Sequence, residues 1–438
     1  MSDPVLDPRP AGTAAAIEPA TAIEPATAID AVATIEPVAT IDPVAAIDPV
    51  AAFDAATEAA LRAKPSAKWT RYDPDVLPVW VADMDFALAD PIREALRAQI
   101  ETGSFGYPPH GGIPGLVPAV IERLADRFGW HVAAEAVRPL PGIIPGLAAG
   151  TLATTGPGEQ VVVQPPVYPP FFSAIAGHGR SVLDNPLVDD GRRFVMDLDQ
   201  LRAAITPATR AIMFCNPHNP TGRVFERHEL EALAEVVLEH RLWVISDELH
   251  ADLVFDGAHV PFASLSPEVA QRTLTLYGAT KAFNLAGLKA GFLIAENPAL
   301  LARAKEVAGH LLPGVNVMGQ VATLAAYRDG GAWFEAALAY LRANRDHLLA
   351  RLATEAPVVR GYAPEGTYLV WLDFRGAGLG DDPADVLLER GRVGLNAGPD
   401  YGAGGAGFAR FNVATSRAVL DAAIDRLVAT VSDARGSS

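Results

Sequence analysis

Lys281 is the residue of this sequence whose position most favours chemistry. It follows the apolar run Thr273–Tyr277 and a short turn of Gly278, Ala279 and Thr280, so we predict a primary amine at the end of a buried strand. A lysine in such a place is most often a solvated loop residue. The chain contains only five lysines against thirty arginines. This usage indicates that arginine serves where only charge is needed, and that the remaining lysines are needed as amines.

An amine that loses its proton in a partly dry site condenses with a carbonyl group, which a guanidinium does not do. Pyridoxal phosphate is a cofactor bound through such a Schiff base, so we predict that Lys281 holds it. Asp247 and Glu248 directly follow the preceding predicted strand, residues 242–246. A carboxylate there is often a helix cap, but a buried aspartate can also hold the protonated pyridine nitrogen. We favour Asp247 over Glu248 because it ends the strand.

Two further predicted strands lead into polar or aromatic side chains. The turn after residues 211–215 contains Asn219, whose amide can donate to a ring oxygen, although a structural turn alone explains its prolines and glycine. Tyr168 follows the strand at 160–164 among four prolines and is placed to stack on a flat cofactor, or simply to pack. Cys215 has no visible activating partner, so we assign it no chemistry.

Anion-binding groups are the remaining candidates. A helix is predicted to begin within residues 141–146 without side chains that would block an anion, and free amides at such an N-terminus bind phosphate. Lys289 is a candidate partner of the cofactor's phosphate. Arg410 is a candidate for binding a substrate carboxylate through a bidentate fork. For both residues a simple surface charge is the alternative.

These residues require a sheet that brings strand ends together. Apolar strands are predicted at residues 137–140, 160–164, 211–215, 242–246 and 273–277, and helical patterns alternate with them. Continuously apolar strands of this kind are typical of a mostly parallel sheet covered on both faces. Ligands of such sheets lie beyond the carboxyl ends of the strands. The later helices and strands predict a second, smaller α/β domain.

Composition limits the class of protein. A chain of 438 residues exceeds one ordinary core, and half of its residues are apolar. The net charge of −17 argues against a nucleic acid as the main partner. One cysteine excludes an internal disulfide, no Cys/His cluster suggests a metal, and we expect a cytoplasmic location. The first residues lack a basic start and a continuous apolar segment, so neither secretion nor a membrane span is expected.

Residues 17–52 form six repeats of six residues, from IEPATA to IDPVAA. Proline occurs in five of the six units and rules out a continuous helix. Residues 1–52 carry eight acidic side chains against Arg9, a net charge of −7. We therefore predict a disordered acidic tail over residues 1–52. The predicted domains after it are an N-terminal segment of the small domain (53–100), a large cofactor domain (101–330) and the C-terminal small domain (331–438).

Several stretches in the right order resemble the fold type I pyridoxal phosphate enzymes of the class I/II aminotransferase superfamily, and in particular the MalY/PatB-type cystathionine beta-lyases. The stretches are KWTRY, LPVWVADMDF, GYPPHGG, NPHNPTGRVF, SDELHADL and YLVWLDFR. The likeness covers nearly everything from Phe53 onward. It implies the fold type I architecture, with a mostly parallel large domain and a smaller α/β domain, and a homodimer with its active sites at the subunit interface.

The resemblance also implies a role for each candidate. Lys281 would be the Schiff-base lysine, Asp247 the partner of the ring nitrogen, and Arg410 the group that binds the substrate's α-carboxylate. The other positions would bind the cofactor: Asn219 and His250 at the ring oxygen, Tyr168 on the ring face, the amides of Ile143 and Ile144 at the phosphate, and Tyr107 at the phosphate of the neighbouring subunit. Asn219 would also touch the substrate carboxylate, and its bond to Pro220 would be cis.

The chain departs from many relatives at two positions near the lysine. Gly278 and Thr280 stand where serines are common, so phosphate binding would depend more on Thr280, the helix amides and Lys289. The resemblance implies a carbon–sulfur lyase that acts on cystathionine or related thioethers. An aminotransferase follows the same reaction steps up to removal of the α-proton, and it is the alternative. A regulatory protein that keeps the cofactor site is a third possibility.

Overall fold

The computed structural model describes residues 49–109, 111–309 and 314–436. The predicted tail lies outside the described residues except for its last four, and these are helical, because a helix occupies Pro49–Asp54. The expected boundary after residue 52 does not hold for them. The other predicted domain boundaries stay a prediction, since the described residues all belong to one compact unit.

Aromatic packing holds the helix Pro49–Asp54 against the rest of the protein. Phe53 is fully buried and stacks on Phe86 with 4.4 Å between ring centroids. Trp333 and Tyr340 meet the same ring edge-on. Burial of one such aromatic side chain contributes roughly 1.5–3 kcal/mol. The first described helix is thereby attached to the core.

Within the described residues the α-helices are α1 Pro49–Asp54, α2 Glu58–Arg62, α3 Ala67–Thr70, α4 Asp90–Thr102, α5 Leu116–Phe128, α6 Ile143–Thr154, α7 Pro170–Ala176, α8 Leu198–Ala204, α9 Arg227–Glu239, α10 Pro267–Ala270, α11 Pro298–Ala308, α12 Val317–Asp329, α13 Gly331–Glu355, α14 Pro383–Glu389 and α15 Arg417–Gly436. The strands there are β1 Leu77–Pro78, β2 Val137–Leu140, β3 Gln160–Val163, β4 Ser181–Asp184, β5 Val188–Asp189, β6 Phe194–Val195, β7 Thr209–Cys215, β8 Trp243–Asp247, β9 Thr273–Tyr277, β10 Gly291–Ile294, β11 Arg360–Gly361, β12 Leu369–Asp373, β13 Val393–Gly394, β14 Asn396–Ala397 and β15 Phe408–Asn412.

The central sheet has seven strands in the order β2-β10-β9-β8-β7-β3-β4. Strands β4, β3, β7, β8 and β9 pair in parallel, whereas β10 is antiparallel to both of its neighbours. The predicted mostly parallel sheet is confirmed. Strands β4 and β10 were not predicted; each has only four residues, and β4 lies at the sheet edge with its side chains partly or fully exposed.

Helices cover both faces of this sheet. Along β7, Ala211, Met213 and Cys215 pack with α6, α7 and α11, while Ile212 and Phe214 pack with α8, α9 and α10. Successive side chains of a strand point to opposite faces, so a continuously apolar strand is what a sheet covered on two sides requires. The sheet is therefore rigid, and its strand ends are fixed in place.

A second sheet is antiparallel, with the order β11-β12-β15-β14. Helices α13 and α15 contact each other and share a core with it. The short strand β1, from the N-terminal segment, pairs with β13 next to this region. These features form the smaller α/β part that the sequence predicts. No helix in the described ranges is both long and apolar enough to cross a membrane.

Candidate active site

A cavity of about 550 Å³ lies beyond the carboxyl ends of β7, β8 and β9. Cys215 and Asp247 are the last residues of β7 and β8, and Lys281 follows β9; all three line the cavity. This is the edge at which ligands of parallel sheets bind. Ten of the eleven predicted site residues line this cavity. The exception is Tyr107, which is fully exposed on the loop after α4.

Lys281 lines the cavity and forms no ion pair with any residue that the structure describes. Its Nζ donates to the carbonyl oxygen of Ala82 at 2.6 Å. Burial lowers the pKa of Lys281 to about 8; Arg410 acts in the same direction, and Asp83 and Asp247 oppose it. A substantial fraction of this amine is therefore neutral near physiological pH, which is the form that attacks a carbonyl or accepts a proton.

Asp247 is buried at the base of the cavity, and its Oδ1 accepts a hydrogen bond from the Leu249 amide at 3.2 Å. Burial raises the pKa of Asp247 to about 7, and the charge of Glu248 adds to this effect, while the Leu249 amide and Lys281 oppose it. A cationic group in the cavity would stabilise the ionised form of Asp247. Glu248 does not line the cavity.

Arg410 lies in β15 between β12 and β14 and is 3% exposed. Its Nη1 donates to Oδ1 of Asn219 at 2.9 Å, and its Nη2 donates at 2.8 Å to the carbonyl of Trp80 and to Oδ1 of Asn396. Its Nε has no partner in the described part of the chain. The Asn219–Pro220 peptide bond is cis, as predicted. The guanidinium is thus held rigidly at the cavity wall.

His250 and Tyr168 line the cavity near the two strand ends. Burial holds the pKa of His250 well below its ordinary value, and Lys281 and Arg410 add to this, so the imidazole is neutral. Its Nδ1 has no hydrogen-bond partner among the described residues. Tyr168 is partly buried, and burial together with Asp247 raises its pKa, so its phenol stays protonated.

The predicted anion site lies at the start of α6. Gly142 precedes this helix with φ 123°, a conformation that favours glycine. The first amides of a helix have no partner inside the helix, and α6 has no acidic residue in its first turn. Ile143 and Ile144 begin α6, and the cavity wall continues through Thr280 and Lys289. The combination provides amides, a hydroxyl and an ammonium group for a phosphate.

Several cavity residues were not predicted. Trp80, Val81 and Ala82 come from the segment after β1, Asn396 comes from β14 of the second sheet, and Tyr401 ends the short 3-10 helix that follows β14. The first group lies in the stretch LPVWVADMDF, which we interpreted from the sequence only as the start of ordered structure. No local pattern indicated the second group, because β14 has two residues and gains its position by pairing with β15.

Cys215 also lines the cavity, but burial raises the pKa of its thiol well above the ordinary value. A protonated thiol is a poor nucleophile, in agreement with its having no assigned chemistry. No group of three potential metal ligands is found among the residues that the structure describes.

The donor set fits pyridoxal phosphate. A buried carboxylate, Asp247, suits a protonated ring nitrogen, and His250, whose Nδ1 has no partner among the described residues, lines the same cavity. The helix amides, Thr280 and Lys289 suit the phosphate, and Lys281 suits the aldehyde. Arg410 lines the same cavity, and its guanidinium suits a substrate carboxylate.

Comparisons with known proteins place the chain in a family. The model for "Aminotransferase class I and II" matches residues 75–427. The chain belongs to this family. It is 40% identical over 364 residues to "Cystathionine beta-lyase PatB" of Bacillus subtilis (strain 168), which covers 82% of this chain and 93% of that protein.

Solved structures agree with this placement. The "putative plp-dependent beta-cystathionase" of Corynebacterium diphtheriae is 34% identical, with a TM-score of 0.81 over 86% of this chain and 98% of that one. The "PLP-bound C-S lyase from Staphylococcus hominis" is 28% identical, with a TM-score of 0.81 and the same coverage. The resemblance inferred from the sequence and the predicted fold class are both confirmed.

Proposed function

We propose that this protein is a pyridoxal phosphate-dependent β-lyase that cleaves the carbon–sulfur bond of cystathionine or related cysteine thioethers. Its products are a thiol, pyruvate and ammonia. The observation that carries the proposal is the amine of Lys281, which faces the cavity with a pKa of about 8 and shares it with the buried carboxylate of Asp247. The lyases among the relatives support the choice of reaction.

Lys281 and Asp247 carry the proton chemistry. When bound, pyridoxal phosphate supplies an aldehyde that condenses with amines and a ring that withdraws electrons from the α-carbon. Lys281 would accept the α-proton of the substrate, because its lowered pKa leaves a neutral amine near physiological pH. Asp247 holds the proton on the ring nitrogen, since a buried carboxylate strongly favours a cation beside it.

The substrate is oriented by Arg410. Its guanidinium is fixed by Asn219, Asn396 and the Trp80 carbonyl, so it binds an α-carboxylate without first having to be ordered. Asn219 would contact both this carboxylate and the cofactor's ring oxygen, and Lys281 lines the same cavity.

The remaining cavity residues hold the cofactor. Tyr168 would offer its aromatic face to the ring, and the neutral imidazole of His250 would hold the ring oxygen. The amides of Ile143 and Ile144, together with Thr280 and Lys289, would hold the phosphate. These assignments combine an aromatic surface, a helix N-terminus and a cation, which are the groups that such a molecule needs.

Carbon–sulfur cleavage and transamination diverge only after the α-proton is removed. Transamination is the alternative, because the family is described as aminotransferases of class I and II. The deciding experiment incubates purified holoenzyme with L-cystathionine and no keto acid. Continuous release of thiol and pyruvate in equal amounts supports the lyase. Turnover that appears only after a keto acid is added identifies an aminotransferase, and no turnover in either case favours a regulatory protein.

We also propose a homodimer, in which Tyr107 reaches the phosphate of the neighbouring subunit, and a cytoplasmic location. Exposed apolar side chains support the dimer: Ile100, Phe105 and Ile144 are 57%, 54% and 51% exposed, and Tyr107 is fully exposed. Ile100, Phe105 and Tyr107 lie within eight residues of one another in the chain, and grouped exposed apolar side chains mark interaction surfaces. Light scattering of the holoenzyme tests the dimer, and Tyr107→Phe should weaken cofactor binding if the role is correct.

A further inference from the structure

A second carboxylate lies directly behind Asp247. Glu248 is 2% exposed and accepts three hydrogen bonds: from the Ser246 hydroxyl at 2.7 Å, the Phe262 amide at 3.0 Å and Nε2 of His259 at 2.9 Å. Successive residues at a strand end face opposite sides, so Asp247 faces the cavity and Glu248 faces away from it. The proposed reaction gives neither Glu248 nor His259 a role.

The hydrogen-bond partners assign the charges in this network. The Phe225 amide donates to Oδ1 of Asn216 at 3.1 Å, which leaves Nδ2 of Asn216 as the group facing Nδ1 of His259 at 3.5 Å. An amide nitrogen only donates, so Nδ1 of His259 is the acceptor and its proton is on Nε2. His259 is therefore neutral, and the negative charge of Glu248 is hydrogen-bonded but not neutralised.

The same network reaches both strand ends that form the site. The backbone N–H of Asn216 donates to the backbone carbonyl oxygen of Asp247 at 3.1 Å. Asn216 also begins the turn that carries Asn219 to the cavity. A change at Glu248 is thus transmitted to Asp247 through charge and through one short run of hydrogen bonds.

Two charged side chains act on the pKa of Asp247 in opposite directions. Lys281 favours the ionised form of Asp247, while Glu248 opposes it. Tyr168 and Cys215 also face Asp247, but both have a raised pKa and stay uncharged. A second negative charge in a buried region increases the gain from placing a cation next to Asp247.

We propose that Glu248, held in place by His259 and Ser246, is a positioning residue that strengthens the preference of Asp247 for a protonated ring nitrogen. The inference rests on the proposed cofactor site. It predicts that the site prefers pyridoxal phosphate to an analogue in which the ring nitrogen is replaced by a C–H group, and that part of this preference comes from Glu248.

The experiment measures the dissociation constants of both compounds for the apoprotein by absorbance titration at one pH. Glu248→Gln removes the charge and keeps the size of the side chain. We expect the preference for pyridoxal phosphate over the analogue to fall about five- to tenfold, the size of a pKa effect of up to one unit. The analogue itself should bind Glu248→Gln and the wild type with similar affinity.

Two further variants separate charge from structure. Ser246→Ala removes one hydrogen bond to the same carboxylate but keeps its charge, so it should leave the preference within about twofold of the wild type. His259→Gln keeps a neutral N–H donor for the other carboxylate oxygen and leaves the carboxylate charged, so the preference should be unchanged or higher. Thermal unfolding of each holoprotein shows whether the variant is folded. If Glu248→Gln does not fold, the result with His259→Gln tests the inference instead.

The outcomes are distinct. Equal losses of affinity for both compounds in Glu248→Gln, or a preference that falls in His259→Gln, would overturn the inference and leave the proposed lyase intact. If the wild type binds neither compound, the proposed function fails and this inference fails with it.

Discussion

Lys68, which is fully buried, and Lys281, which is partly buried at the cavity, have opposite environments. Lys68 is 1% exposed, and its Nζ contacts Oδ2 of Asp85 at 2.8 Å and the carbonyls of Asp83 and Ala414 at 3.4 Å. Lys281 donates to one carbonyl only, that of Ala82, and forms no ion pair within the described residues. Both lysines contact the same stretch of chain, residues 82–85.

The difference shows what separates a structural lysine from a reactive one. Asp85 also accepts from the Trp69 indole at 2.7 Å, so the charge of Lys68 is matched and its amine is fully occupied. Lys281 lacks such a match, and burial lowers its pKa to about 8. The interpretation that the few lysines are all needed as amines is therefore wrong for Lys68 and is supported for Lys281.

The largest effect is expected from Lys281→Ala. Loss of the group that moves the α-proton should lower the rate of pyruvate release from cystathionine by at least about 10³-fold. The thermal unfolding midpoint of the apoprotein should not fall, because this variant removes a partly buried amine that forms no ion pair with any residue the structure describes. Lys305→Ala, an exposed lysine in α11, is the control and should keep full activity. Comparable losses in both variants would contradict the account.

Lys68→Met should have the reverse effect. It leaves Asp85 buried without its cation, so the free energy of unfolding should fall by about 3–5 kcal/mol. Urea denaturation measures this, and activity per folded molecule should change much less than in Lys281→Ala. The double variant Lys68→Met with Asp85→Leu should recover most of the stability, since an apolar pair can replace a buried ion pair. A stable but inactive Lys68→Met would remove the contrast between the two lysines.

Asp247→Asn should lower turnover by about 10²-fold, because an amide cannot stabilise a cation on the ring nitrogen as a carboxylate does. Cofactor affinity, measured by absorbance titration, should fall as well. Glu248→Asn at the neighbouring position should have a smaller effect on turnover. If the two substitutions have effects of equal size, the preference for Asp247 is wrong.

Arg410→Lys should raise the KM for cystathionine about 10-fold or more while changing kcat less. A lysine keeps the charge but loses the fork that donates to a carboxylate and to Asn219 at the same time. Steady-state kinetics separate the two constants. A loss confined to kcat would place Arg410 elsewhere in the reaction.

The smallest effect is the pH dependence of reconstitution. Only neutral Lys281 condenses with the cofactor, so the initial rate of reconstitution should increase with pH. It should rise about tenfold per pH unit below about 8, the lowered pKa of Lys281, and level off above it. Stopped-flow absorbance of the apoprotein with pyridoxal phosphate measures the rate. A rise that continues to pH 10 would indicate an ordinary, solvated lysine.

The sequence predicted the strand ends better than the cavity as a whole. Lys281 and Asp247 could be found because each follows a continuously apolar run, and the position of a strand end is a local property. Asn396 and Tyr401 could not, because they reach the cavity through pairing between β14 and β15, far from the central sheet in the chain. The partner of Lys68 was missed for the same reason: the Lys68–Asp85 pair joins two segments that only the fold brings together.

The most direct test asks which amine holds the cofactor. Holoenzyme reduced with borohydride and digested with a protease should yield one peptide that carries the cofactor, with the label on Lys281, and the native protein should absorb visible light before reduction. A colourless protein after reconstitution, or a label on Lys289 or Lys68 instead, would contradict the central claim.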